Sequence, residues 1–126
     1  MKIAAAIARY LLGLVFTVFG LNGFLNFIPP MPMPALASQF LGPLIQSHFM
    51  VFVFATELAG GLLVLANQYV PLALALLGPV IVNILLFHLL MAPSGLPLAL
   101  VVAVLWFILF YSCRAAFAGL FLRRAG

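Results

Sequence analysis

Charged side chains are scarce in this sequence, and acidic ones are nearly absent. Only 5% of the 126 residues are charged: Glu57 is the single acid, against five Lys and Arg residues, while 68% of the chain is hydrophobic. A soluble domain usually carries about 25% charged residues, so this chain has too few to cover a water-soluble globule. The composition also excludes a disordered segment, and five bases are too few for a nucleic-acid-binding face. The remaining class is an integral membrane protein.

Several kinds of chemistry are excluded by what the sequence lacks. The single Cys113 cannot form an intramolecular dithiol pair, which argues against a membrane thiol oxidoreductase. One Glu and two His residues without clustered spacing make a weak set of ligands, so no metal site is expected. The sequence has no glycine-rich phosphate loop and no serine-nucleophile motif. No motif therefore predicts a catalytic role.

Long apolar runs predict an all-α membrane protein, in which 1–126 form a single domain with four transmembrane helices. A helix that crosses the bilayer needs ~20 apolar residues, because it must span ~30 Å of hydrocarbon at 1.5 Å per residue. Four runs meet this requirement. The predicted helices cover about 4–28, 49–66, 70–92 and 97–122.

The first connection between these helices is longer than the other two. Four prolines between 29 and 34 favour an extended entry. Apolar residues then recur at near-helical spacing over 36–45, which predicts a short interfacial helix in the first external loop, broken or kinked at Gly42-Pro43. The segment is either a connector with apolar packing or a lid over a binding site, and the sequence leaves both readings open.

The positions of the bases predict the orientation of the chain. All five lie in or near its two ends, and the connections at 28–48 and 92–97 contain none. Four spans put both ends on one side, and the positive-inside rule makes that side the cytoplasm. Tyr10, Tyr69 and Tyr111 fall at the predicted cytoplasmic ends, where the aromatic residues of membrane helices concentrate. A multi-pass protein with both termini in the cytoplasm is therefore predicted.

Five polar or ionisable residues are predicted to share the outer half of the membrane. Glu57 comes out near the middle of the second span, roughly 12 Å below the outer boundary. The others lie on the first and third helices: Asn22, Asn26, Asn83 and His88. Because an unpartnered carboxyl or amide is costly in hydrocarbon, we expect the five to converge, with the protonated carboxyl donating a hydrogen bond to Asn22, Asn83 or His88.

Several segments carry a family resemblance. The first is RYLLGLVF at 9–16, which GLNG at 20–23 follows. The next is ELAGGLLVL at 57–65, and the last is VNILLFH at 82–88 with APSG at 92–95. In this order and spacing they resemble the first three helices of the DoxX-like family of small four-helix bacterial membrane proteins. The likeness covers nearly the whole chain.

The resemblance implies a protein of the bacterial cytoplasmic (inner) membrane. The DoxX-like family is associated with a terminal-oxidase or thiosulfate:quinone oxidoreductase system. The resemblance therefore also implies a membrane redox partner and a quinone-like ligand. Thiol-active branches of the family use cysteines that this chain lacks, so their chemistry is not expected here.

Three functions are compatible with these features. The first is a subunit of a membrane redox system that binds a quinone-like or lipid small molecule at a polar cluster made of Glu57, Asn22, Asn83, His88 and Asn26. The second is a structural or assembly protein without chemistry, in which polar residues only hold helices together, within one chain or in a homo-oligomer. The third is a small proton-coupled transporter that uses the membrane acid. The sequence ranks them in this order.

Overall fold

The structure, a computed structural model, describes residues 2–126, and helix is the only regular secondary structure in that range. Two 3-10 segments, Pro93–Gly95 and Arg114–Phe121, precede and follow the last α-helix. The prediction of an all-α protein is confirmed. The α-helices are α1 (Lys2–Leu25), α2 (Ala35–Gln46), α3 (Phe49–Leu65), α4 (Val70–Leu90) and α5 (Leu96–Ser112).

Three helical stretches are long and apolar enough to cross a membrane, namely α1, α4 and Pro93–Ser112, which contains α5. The helix α3 has 17 residues, about 25 Å at 1.5 Å per residue, which is at the lower limit of the roughly 17–25 residues of a spanning helix. Together α2 and α3 are apolar enough, but they are bent by 89° relative to each other. The number of candidate spans is therefore three, or four if the bent pair counts as one, which is consistent with a multi-pass membrane protein.

The chain bends at His48, between α2 and α3. The break or kink predicted at Gly42-Pro43 is not found. His48 has a left-handed backbone conformation with a φ of 63°, immediately before α3 begins. The helix α2 runs through Gly42 and Pro43 without a break. Pro43 and Gln39 are both exposed, so the carbonyl that the proline deprives of its helical donor lies on the open side of α2. This explains why the predicted interruption at Gly42-Pro43 is absent.

The helices α1 and α3 approach each other closely because glycines line their interface. A Cβ atom on Gly20 of α1 would lie 2.6 Å from the backbone nitrogen of Leu58. A Cβ atom on Gly61 of α3 would lie 2.5 Å from the backbone nitrogen of Thr17. Since these atoms belong to the backbone, no side-chain rotation could make room for a larger residue.

The remaining contacts enclose a common apolar core. The helix α1 also packs against α5, and α4 packs against both α3 and α5. Trp106 of α5 donates a hydrogen bond of 3.0 Å to the carbonyl oxygen of Leu74 in α4. The helix α2 contacts α3, and its Phe40 ring lies 6.1 Å from the Phe87 ring of α4. The short helix therefore covers one end of the α3–α4 pair.

Two helix ends differ from the prediction. The helix α1 ends at Leu25 and not near 28, because Asn26 adopts a left-handed φ of 52° before the proline-rich segment. The last α-helix ends at Ser112 and not near 122, because the φ of −122° at Cys113 leaves the helical region. The chain then continues as the 3-10 segment Arg114–Phe121.

Candidate functional site

Glu57 lies in the interior of the protein, at the midpoint of α3. With Gly60, Gly61 and Val64 it forms the buried stripe of that helix, at spacings of three, four and seven residues. Only 8% of its surface is exposed, and among residues 2–126 it is the only buried side chain that is polar or charged. Its neighbour Leu58 touches Gly20, so the carboxyl-bearing residue is level with the tightly packed part of the α1–α3 pair.

The Glu57 carboxyl has no protein partner within residues 2–126. No side chain in that range forms an ion pair or a hydrogen bond with it, and the guanidinium of Arg9 is bonded to the carbonyl oxygens of Val64 and Leu65 instead. Among the described residues, Thr17 Oγ1 is the one side-chain polar atom that is both fully buried and without a hydrogen-bond partner. The carboxyl oxygens of Glu57 also lack a partner, so they are not fully buried and keep some accessible surface. A molecule the size of water can therefore reach the carboxyl.

Thr17 is a second unpartnered polar residue in this region, and it is not among the site residues predicted from the sequence. A Cβ atom on Gly61 would lie 2.8 Å from its hydroxyl oxygen, so the hydroxyl faces α3. Gly61 is one helical turn after Glu57, roughly 6 Å along the axis. The signal in the sequence was a threonine between Gly13 and Gly20, on the face of α1 that the glycines mark. The Thr17 hydroxyl therefore lies in the α1–α3 interface, about one helical turn from the level of Glu57.

Asn22 and Asn26 both lie at the end of α1. The side-chain oxygen of Asn22 accepts a hydrogen bond of 2.7 Å from the backbone N–H of Ile28, which secures the turn that follows the helix. Asn26 lies beyond the last residue of α1 and is exposed. These residues stabilise or form the exit from the helix, and neither is hydrogen-bonded to Glu57 in the structure.

Asn83 and His88 lie on different sides of α4. Asn83 is exposed, and its amide donates to the carbonyl oxygen of Pro79 in the same helix at 2.8 Å. His88 is half-buried near the end of α4, where Nδ1 lies 2.8 Å from the carbonyl oxygen of Ile84 and the ring lies against Gly95. Gly60 meets Leu77, so in this antiparallel pair His88 is level with the start of α3, roughly 12 Å from the level of Glu57.

The predicted convergence of the five polar residues is therefore not found. Within residues 2–126 none of them is hydrogen-bonded to another, and three satisfy a backbone group close to them in sequence. Local satisfaction removes the physical reason for convergence, because an amide bonded to its own backbone no longer needs a partner on another helix. The interior polar groups are instead Glu57 and Thr17.

Near Glu57, the helix α3 packs against backbone atoms of α1 and against side-chain atoms of α4. Towards α1 the contacts are with backbone atoms, as at Gly20 and Gly61. Towards α4 the nearest atoms to Gly60 are the Cγ and Cδ atoms of Leu77, a side chain that can rotate. Two cavities, of about 470 Å³ and 310 Å³, lie elsewhere and are not lined by Glu57. Near Glu57, α3 therefore meets backbone atoms of α1 on one side and a movable side chain of α4 on the other.

The residues present do not form a cradle for a quinone. A quinone head has carbonyl oxygens at opposite ends of its ring, and holding both requires donors on two sides. In the interior of the described residues only Glu57 and Thr17 lack a partner, and the Thr17 hydroxyl is fully buried against Gly61, while Asn83 and His88 are engaged with the backbone of α4. Among residues 2–126 no group of three His, Cys, Asp or Glu side chains is placed to hold a metal ion.

Comparison with protein-family models, with curated proteins and with solved structures found no match to this chain. The likeness to the DoxX-like family consequently rests on the sequence segments alone.

Proposed function

We propose that this chain is a multi-pass membrane protein in which Glu57 binds the polar head of a small apolar or lipid molecule. The observation that carries the proposal is a buried carboxyl group with no protein partner in residues 2–126 and with accessible oxygen atoms. A carboxyl in an apolar interior is unfavourable by several kcal/mol unless a hydrogen-bond partner or water compensates. A ligand with one carbonyl or hydroxyl group supplies that partner.

We also propose how the helices and the two termini lie relative to the membrane. The helices α1, α3, α4 and α5 form a four-helix transmembrane bundle, and α2 lies in the outer interface at nearly a right angle to α3. Both termini lie on the cytoplasmic side, because all five bases are near the ends of the chain. The resemblance to the DoxX-like family implies that this membrane is the bacterial inner membrane. The 89° bend supports this arrangement, since a helix lying in the interface must leave the direction of the span.

A role as a subunit of a membrane redox system, as in the DoxX-like family, is the narrower form of this proposal. A quinone bound by both carbonyl oxygens is disfavoured by the donors available around Glu57. The ligand that fits is one with a single polar head, held by one hydrogen bond and otherwise surrounded by the apolar side chains of α3 and α4, with Leu77 displaced.

The experiment compares the small molecules that copurify with the wild type and with Glu57→Leu, by mass spectrometry of protein purified in a mild detergent. We expect Glu57→Leu to lower the amount of one specific bound molecule about tenfold, which corresponds to one hydrogen bond of about 1.4 kcal/mol. The variant Glu57→Gln, which keeps a donor and an acceptor, should retain much of it. Identical profiles in all proteins would contradict the proposal.

Asn83→Leu is the matched control for Glu57→Leu. It replaces another polar residue by leucine, but at an exposed position whose amide is bonded within its own helix. The bound molecule should be unaffected by this substitution. A loss as large as that in Glu57→Leu would mean that binding follows the general polarity of the helices and not the buried carboxyl.

A structural role without any ligand is the second candidate, and the local bonding of the other polar residues favours it. Asn22 secures the end of α1, and the glycines of α1 and α3 allow close packing without any chemistry. On this account Glu57→Leu should make the protein more stable, because it removes an unpartnered carboxyl, and should leave the bound molecules unchanged. The mass-spectrometric comparison separates the two candidates.

A further inference from the structure

A cleft of about 470 Å³ opens at the end of the protein where the basic residues gather. It lies between the beginning of α1, the α3–α4 turn and the end of α5. Three of the five bases line it. The polar residues that line it are Lys2, Arg9, Asn67, Ser112 and Arg114.

The two arginines of the cleft are held in position by helix ends. Arg9 is half-buried, and its Nη1 donates to the carbonyl oxygens of Val64 and Leu65 at 2.9 and 2.8 Å, at the end of α3. The Nη1 of Arg114 donates to the carbonyl oxygen of Tyr111 at 2.7 Å, and its guanidinium lies 4.0 Å from the centre of the Tyr111 ring. The Nε and Nη2 groups of both arginines make no hydrogen bond within residues 2–126 and remain available as donors.

The positive charge of the cleft has no counter-charge among the side chains of the protein. Glu57 is the only acid in the sequence, and it lies eight residues before the end of α3, roughly 12 Å away along the helix axis. Within residues 2–126 no base forms an ion pair with it. The carbonyl oxygens at the helix ends offset only part of the charge of each arginine. Among the side chains of residues 2–126, none supplies a full negative charge in the cleft.

We infer that this cleft binds the phosphate group of an anionic phospholipid. Two guanidinium groups and one ammonium group suit a phosphate, and the side-chain amide of Asn67 can donate to one of its remaining oxygens. The space equals that of roughly fifteen water molecules, more than a single phosphate ion fills. The first turns of α1 expose apolar side chains, among them Ile3 and Ile7, against which acyl chains can lie.

The test uses the whole chain in a zwitterionic detergent and counts bound lipids by native mass spectrometry. Phosphatidylglycerol is the anionic probe and phosphatidylcholine the zwitterionic reference. We expect the wild type to prefer the anionic lipid, and Lys2→Gln combined with Arg114→Gln to weaken its binding by roughly 5-fold for each base removed. Lys2→Gln alone, at an exposed residue that makes no side-chain hydrogen bond within residues 2–126, should show a single 5-fold loss without loss of stability.

The matched control is Arg123→Gln combined with Arg124→Gln, which removes the same charge outside the cleft. If this control weakens the binding of phosphatidylglycerol as much as the cleft variants do, the proposal is overturned. The total positive charge at this end of the protein, and not the cleft, would then attract the lipid. Equal binding of the two lipids by the wild type would also overturn it. Displacement of the lipid by millimolar inorganic phosphate would assign the cleft to a free phosphate ion instead. A loss confined to the cleft variants would support a phospholipid site.

Discussion

Gly61 of α3 lies directly against Thr17 of α1, so that a Cβ atom on the glycine would come within 2.5 Å of the threonine backbone nitrogen and 2.8 Å of its hydroxyl oxygen. This contact sets the distance between the two helices one turn away from Glu57. It also seals the hydroxyl of Thr17 from any other partner in residues 2–126. The candidate site is therefore held by the same close packing that makes one of its two polar groups unsatisfied.

Gly61→Ala is expected to destabilise the protein by about 1–3 kcal/mol, the usual range for overpacking a well-packed core. The added methyl group meets backbone atoms of α1, so the helices must separate. The measurement is the thermal midpoint of unfolding in detergent. Gly42→Ala, in α2 with nothing within 4 Å of the added atom, is the control and should be neutral or slightly stabilising. Equal effects of the two substitutions would contradict the packing described here.

Thr17→Val should increase the stability of the ligand-free protein by about 1 kcal/mol. The substitution keeps the shape of the side chain and removes a buried hydroxyl group that has no partner. Chemical denaturation in detergent measures the change. Thr56→Val is a suitable comparison, because the Thr56 hydroxyl is exposed and bonded to the carbonyl oxygen of Phe52. If Thr17→Val proves clearly destabilising, its hydroxyl has a partner in the folded protein.

Arg9→Gln should destabilise the protein by about 1.5–3 kcal/mol, the range for hydrogen bonds to a charged group. The guanidinium joins α1 to the end of α3 through two carbonyl oxygens, and it stands where a helix dipole favours positive charge. Arg124→Gln, near the end of the chain and exposed, should change stability by no more than about 0.5 kcal/mol. Similar midpoints of thermal unfolding for both variants would show that Arg9 does not tie the helices together.

Asn83→Leu should leave the thermal midpoint unchanged or raise it slightly. The amide is exposed and bonded only to Pro79 of the same helix, so its removal breaks no contact between helices. Trp106→Phe is the informative comparison, because it removes a hydrogen bond from α5 to α4 and should lower stability by about 1 kcal/mol. A large destabilisation by Asn83→Leu would place Asn83 in a contact that the structure lacks, such as one with a second copy of the chain.

The sequence predicted the helices better than it predicted the site. The length of each apolar run set where helices could form, and the spacing of apolar residues over 36–45 predicted α2 correctly as a short separate helix. The inward face of α4 was harder to predict, because that helix is apolar on every side and its pattern does not distinguish the face that carries Asn83. Depth along a helix follows from counting residues, whereas direction around it depends on packing.

Thr17 is a second residue whose environment depends on packing and could not be predicted from the sequence. Its depth and its neighbours Gly13 and Gly20 were visible in the sequence, but its contact with Gly61 depends on the register between two helices. That register follows from the backbone approach at several glycines together, which no single segment contains. Glu57 was identified because an acid in an apolar helix needs no knowledge of register to be unusual.

The most direct test of ligand binding at Glu57 is an experimental structure of the protein in lipid. The measurement is the density that lies within hydrogen-bond distance of the Glu57 carboxyl oxygens. We predict an elongated density between α3 and α4, with its polar end about 2.6–3.2 Å from the carboxyl oxygens and with the Leu77 side chain rotated away. Density for protein atoms or an isolated water molecule alone at that position would contradict it.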